Sequence, residues 1–120
     1  MEIPVPVQCQ VCEGELTIER VACHRCGCAL EGNFTFPLLA RLTRDEQKFI
    51  EIFVSLSGNL KNVASTLGIS YPTVRNRLDR IIASLETLAE ADQRKREELL
   101  DNVERGDIPP EVAARLLEEA

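Results

Sequence analysis

No tryptophan, one tyrosine and one histidine occur in the 120 residues, and no cysteine follows position 28. Each shortage narrows the function. The sequence pairs no nucleophile with a base, carries no glycine-rich phosphate loop and offers no metal site with an open position, so no enzyme is expected. No apolar run approaches the ~18 residues that a membrane span requires, and the opening MEIPVPVQCQ has neither a basic n-region nor an apolar h-region. A cytoplasmic protein without membrane contact is the expectation. The five cysteines are odd in number and confined to the first 28 residues, which disfavours a secreted disulfide scaffold and favours metal ligation.

The net charge of -6 argues at first against nucleic acid, because neutralising phosphates needs a basic surface. Its distribution reverses that. Residues 59–85 carry Lys61, Arg75, Arg77 and Arg80 against the single acid Asp79, whereas residues 86–120 hold 11 acidic and 5 basic residues. The one basic stretch is central and an acidic tail follows it.

Leu16 to Ala22 and Leu30 to Phe36 are β-prone, with apolar residues alternating at Leu16 and Ile18 and at Phe34 and Phe36. Beyond Pro37 the signals become helical. Thr43 and Glu46 form a Thr-x-x-Glu capping box, and Phe49, Ile50, Phe53, Val54 and Leu56 recur at helical spacing up to Gly58. Asn59 caps a short second helix carrying Leu60, Val63, Ala64 and Leu67, which Gly68 ends with a positive φ. Ser70 caps a third helix with Pro72 in its first turn and Val74, Leu78, Ile81 and Leu85 on one stripe. The charged run after Leu88 either extends that helix or forms another. Gly106 breaks it, and a last helix starts at Asp107 or Ile108, with Pro109 and Pro110 in its first turn and Val112, Leu116 and Leu117 on one side. The expected architecture is α+β, mainly α: a small β-hairpin ribbon over 1–37, a three-helix unit over 38–88 and an acidic helical segment over 89–120.

Cys9-Gln-Val-Cys12 and Cys23-His-Arg-Cys26 are separated by ten residues, the length of a hairpin strand and its turn. Two such knuckles present four thiolates to a tetrahedral ion at about 2.3 Å, which suits zinc. Gly14 and Gly27 are read as the residues that let each knuckle turn its N–H groups toward sulfur. With all four positions filled by Cys9, Cys12, Cys23 and Cys26, the site is structural and not catalytic. Iron in a rubredoxin-like site would use the same ligands. Cys28 competes with Cys26 as fourth ligand, but the CxxC spacing makes the better knuckle and leaves Cys28 a spare thiol. His24 lies inside the second knuckle, where its ring projects away from the ion, which favours a solvated or packing histidine over a ligand.

The run GNLKNVASTLGISYPTVRNRLDRI, from Gly58 to Ile81, has the order of a helix-turn-helix: small Ala64 at the helix crossing, Gly68 in the turn, and Val63, Leu67, Ile69, Val74 and Leu78 as core. It resembles the helix-turn-helix of Fis-like and PucR-like regulators in its GN dipeptide, LGIS turn and TVRNRL string, and less closely the fourth region of sigma factors. With the preceding CxxC pairs and LARLT and the later Gly-Asp-Ile-Pro-Pro-Glu, nearly the whole chain resembles the prokaryotic domain-of-unknown-function family 2089, a family described by architecture and presumed DNA binding. The resemblance implies that the third helix enters the major groove of double-stranded DNA by its N-terminal part. Tyr71, Thr73, Arg75 and Asn76 then face base edges, and Lys61, Arg77 and Arg80 face phosphates.

A sequence-specific DNA-binding transcriptional regulator acting as a homodimer is the leading expectation, because a single small helix-turn-helix rarely binds tightly. The competing one is a non-catalytic adaptor that holds RNA polymerase, a sigma factor or another regulator through the ribbon and the acidic segment. The acidic helices would then supply the protein contact, or in a regulator the dimer contact or a cover over the basic helix.

Overall fold

The computed structural model describes residues 3–118. Strands β1 (Ile18–Ala22) and β2 (Ala29–Phe34) come first, then a 3-10 turn over Leu38–Arg41. The helices α1 (Arg44–Ser55), α2 (Leu60–Leu67), α3 (Tyr71–Glu104) and α4 (Pro110–Glu118) follow. The expected class, α+β and mainly α, is what the chain adopts. It divides into two compact units, Leu38–Asp92 on one hand and Met1–Pro37 with Gln93–Ala120 on the other.

In Leu38–Asp92 the local signals set the helix ends. Thr43 caps α1: its hydroxyl accepts from the Glu46 N–H at 3.3 Å, and the Glu46 carboxylate accepts from the Thr43 N–H at 3.1 Å. The helix stops three residues before Gly58, because Ser57 enters the left-handed region (φ 56) and starts a Schellman closure, Ser57 N–H to Val54 O and Gly58 N–H to Phe53 O. Asn59 caps α2 through bonds from the N–H groups of Lys61 and Asn62, and Gly68 ends it at φ 67. The Ser70 hydroxyl accepts from the Thr73 N–H at the start of α3.

Leu42, Phe49, Val63, Ala64, Val74 and Ile81 form the buried core, with Val63 and Val74 at 0% exposure. Leu67, Ile69, Leu78 and Leu85 pack against them as partly buried residues. Phe49 and Phe53 stack with ring centroids 6.5 Å apart. A polar contact joins distant parts of this unit: Arg41 donates twice to the Asp92 carboxylate, at 3.0 and 2.5 Å, with the Arg41 side chain only 13% exposed.

In the other unit β1 and β2 pair antiparallel, with Arg20 opposite Glu31, Val21 opposite Leu30 and Ala22 opposite Ala29. The register shifts between Arg20 and Ile18, an irregularity of the β-bulge kind, beyond which Ile18 pairs with Phe34. Leu16, Ile18, Phe34 and Phe36 are half-buried at alternate positions, as their pattern predicts, yet no residue from 3 to 37 is fully buried. Such a segment has too little apolar burial to hold itself. Lys95 on the last turns of α3 bonds the Glu15 carboxylate at 2.7 Å.

The charged run after Leu88 extends α3 without a break to Glu104, a helix of 34 residues. Gly106 (φ 78) ends it in a Schellman motif, with Asp107 N–H on Asn102 O and Gly106 N–H on Val103 O. Helix α4 starts at Pro110, later than the expected Asp107 or Ile108, since the N–H groups of both Asp107 and Ile108 are turned back onto Asn102 O. Its inward face also differs from the sequence pattern. Ala113 is buried and Leu117 half-buried, whereas Val112 and Leu116 are exposed, so the stripe that turns in is the one four residues apart through Ala113 and Leu117.

Candidate functional site

The first turns of α3 present a polar surface because the stripe Val74, Leu78 and Ile81 turns inward and everything between it turns out. Tyr71, Thr73, Arg75, Asn76, Arg77 and Arg80 are all exposed, as is Lys61 on α2. The helix start itself is constrained by Ser70, whose hydroxyl also lies 2.7 Å from that of Thr73. Thr73 is thus engaged in the cap as well as facing solvent. Arg75 Nε sits 3.5 Å from Asp79 Oδ1, one turn further along. The sequence-derived set is brought onto consecutive turns of one helix plus one neighbour, with Gly68 and Ile69 forming the tight link between them: Gly68 N–H and Ile69 N–H both return to Ala64 O.

The two CxxC segments fold alike. Cys9 N–H donates to Gly14 O at 2.9 Å and Cys23 N–H to Cys28 O at 2.7 Å. Glu13 N–H returns to Cys9 O, and Gly27 N–H to Cys23 O, each at 2.9 Å. Val11 N–H points at Cys9 Sγ at 3.4 Å. Backbone donors also act on the thiols electrostatically. The N–H of Cys12, then that of Val11, then the Cys12 side chain hold the Cys9 thiol below its usual range. The N–H of Cys28, followed by the Cys23 and Cys28 side chains, does the same for Cys26. A thiol biased toward thiolate, in a loop whose N–H groups face sulfur, is the chemistry that a thiolate-bound metal ion requires, so the donor set fits one. Among the described residues, no three or more Cys, His, Asp or Glu side chains are gathered where they could hold a metal ion, so what is formed is two matching knuckles.

The two knuckles do not both turn on a glycine, as their sequences suggest. Gly27 does take a positive φ of 77, but in the first knuckle the left-handed residue is Glu13, at φ 61, and not Gly14. Gly14 is small for a different reason: a Cβ there would stand 3.2 Å from Cys12 Sγ. Aligning Cys12-Glu13-Gly14 with Cys26-Gly27-Cys28 puts Glu13 on Gly27 and Gly14 on Cys28, a correspondence that the spacing already contained. His24 is exposed, as its place in the knuckle suggests. No helix among the described residues is long and apolar enough to cross a membrane.

No curated protein and no solved structure matches the chain. One family model does, described as domain of unknown function (DUF2089)-HTH, over residues 42–88. That span begins at the buried Leu42 and ends on α3 at Leu88, taking in the capping box, the Gly68 turn and the exposed polar turns of α3, and it leaves out the cysteines. The likeness is therefore narrower than the nearly whole-chain resemblance that the sequence suggests. Over residues 42–88, then, the chain is similar to the helix-turn-helix family described as DUF2089.

Proposed function

We propose that the chain is a sequence-specific DNA-binding transcriptional regulator in which α3 reads the major groove of double-stranded DNA. The observation that carries this reading is the run of exposed polar and basic side chains on the first turns of α3, directly behind a helix-turn-helix turn. Arg75 and Asn76 have the paired donors and acceptors that discriminate guanine and adenine, and Tyr71 and Thr73 flank them. Lys61, Arg77 and Arg80 supply affinity through phosphates. The protein acts as a homodimer on paired half-sites, since one such unit offers few contacts.

The ribbon's role in this proposal is structural. Cys9, Cys12, Cys23 and Cys26 hold one zinc ion, which cross-links the knuckles and supports a segment without a fully buried residue. Exposed Val112 and Leu116 on α4, in an acidic segment, favour a second reading, a non-catalytic adaptor that docks on the transcription machinery.

Fluorescence binding to genomic fragments at low and moderate salt tests the main reading. Saturable binding that Arg75→Ala with Arg77→Ala abolishes supports it. Absence of saturable binding at low salt, with the double variant indistinguishable from wild type, rejects it, and recovery of a stoichiometric protein partner from nuclease-treated extract would then favour the adaptor.

A further inference from the structure

Asp79 is the single acidic residue between positions 59 and 85, among four bases, on the helix proposed to meet a polyanion. A carboxylate there repels phosphate, so it needs a positive reason to be present. Helix stability is a poor one. An exposed i,i+4 pair adds little, the order basic-then-acidic is the less favourable of the two, and position 79 lies beyond the first turn, where a carboxylate would favour the helix dipole.

Its geometry supplies a better one. Asp79 Oδ1 lies 3.5 Å from Arg75 Nε, and both side chains are 55% exposed, so the pair stands on the open face and not in the core. An ion pair on the Nε side biases the guanidinium toward Asp79 and leaves its two terminal amino groups to project together. Those are the two donors that guanine O6 and N7 accept side by side. An arginine held in this way loses less side-chain freedom on binding than one that must be ordered from solution.

We infer that Asp79 is a positioning residue for base recognition: it holds Arg75 in the orientation that reads guanine, and it sets sequence preference at the expense of general DNA affinity. The inference rests on the DNA-binding reading above and assigns a division of labour within it. Arg75 reads, Asp79 aims, and Arg77, Arg80 and Lys61 attach.

The test is selection of full-length protein on random double-stranded DNA, comparing wild type with Asp79→Ala, Asp79→Glu and Arg75→Ala, each checked for intact helix content by circular dichroism. Wild type is expected to select a motif containing a fixed guanine. In Asp79→Ala the preference for that guanine falls by at least about fivefold, within the range of one bidentate base contact, while affinity for unrelated DNA at low salt rises. Arg75→Ala loses preference at the same position, and Asp79→Glu, which keeps the carboxylate, restores it. A role in charge alone would shift affinity for all sequences by one factor and leave the motif unchanged, and that result overturns the inference. A motif that survives Arg75→Ala overturns it too. Failure of wild type to select any motif rejects the DNA reading itself, and this proposal with it.

Discussion

Val74 has no solvent exposure, and it sits on the same helix as the proposed reading surface, so shortening it probes how far that surface depends on the core behind it. Val74→Ala removes two methyl groups. At about 0.8 kcal/mol each the transfer loss is about 1.6 kcal/mol, and a void of some tens of Å³ that cannot collapse adds about 1 kcal/mol. The sum is about 2–3 kcal/mol. A unit the size of Leu38–Asp92 has roughly 3–8 kcal/mol in all by the usual per-residue range. The variant should lose about a quarter or more of its stability and melt about 10–20 °C lower. With no tryptophan and one tyrosine, the assay is circular dichroism at 222 nm during urea and thermal unfolding. The control is Val54→Ala on α1, where the side chain is 67% exposed and the change should stay within about 0.5 kcal/mol. If the two variants unfold together, burial of Val74 is not what holds the unit.

Three further outcomes follow from particular contacts. Arg41→Ala should destabilise the helical unit by about 1–2 kcal/mol, less than for a fully buried pair because Asp92 is 36% exposed, and urea titration measures it. Elemental analysis of the purified protein should find one zinc per chain, lost in Cys9→Ser and Cys23→Ser and kept in Cys28→Ser, with chelation disordering ribbon NMR signals while the Leu38–Asp92 signals persist; visible absorption from bound iron would contradict this. Gly14→Ala should weaken zinc binding in a competition titration with a chromogenic chelator, since the new Cβ would press on Cys12 Sγ at 3.2 Å, whereas Glu13→Gly should leave the affinity intact or raise it.

The helix-turn-helix was readable from the sequence because its determinants are local. Thr43 with Glu46, Asn59, Gly68 and Ser70 each act within a few residues, and the period of Val74, Leu78 and Ile81 places the outward residues by subtraction. What escaped depends on partners far along the chain. Arg41 and Asp92 are 51 residues apart, and nothing local marks either as half of a pair. Leu42 looks like linker but is 2% exposed. On α4 the apolar residues Val112, Ala113, Leu116 and Leu117 offer two overlapping stripes, and which one turns in is decided by the surface it meets. The end of α3 was undecidable for the opposite reason: a highly charged run is compatible with helix but supplies no stripe strong enough to demand it.

The two cysteine knuckles keep the same backbone bonds although, from Cys9 to Gly14 and from Cys23 to Cys28, they share no aligned residue beyond the cysteines. Their shape is set by main-chain donors and by one left-handed position, and the side chains between the cysteines take no part in it. Gln10, Val11, His24 and Arg25 are all exposed, Val11 to 94%. Each knuckle is in effect a mount with an interchangeable tip. A side chain can change at these tips with little effect on the frame so long as the main-chain donors remain, the Val11 N–H that faces Cys9 Sγ among them.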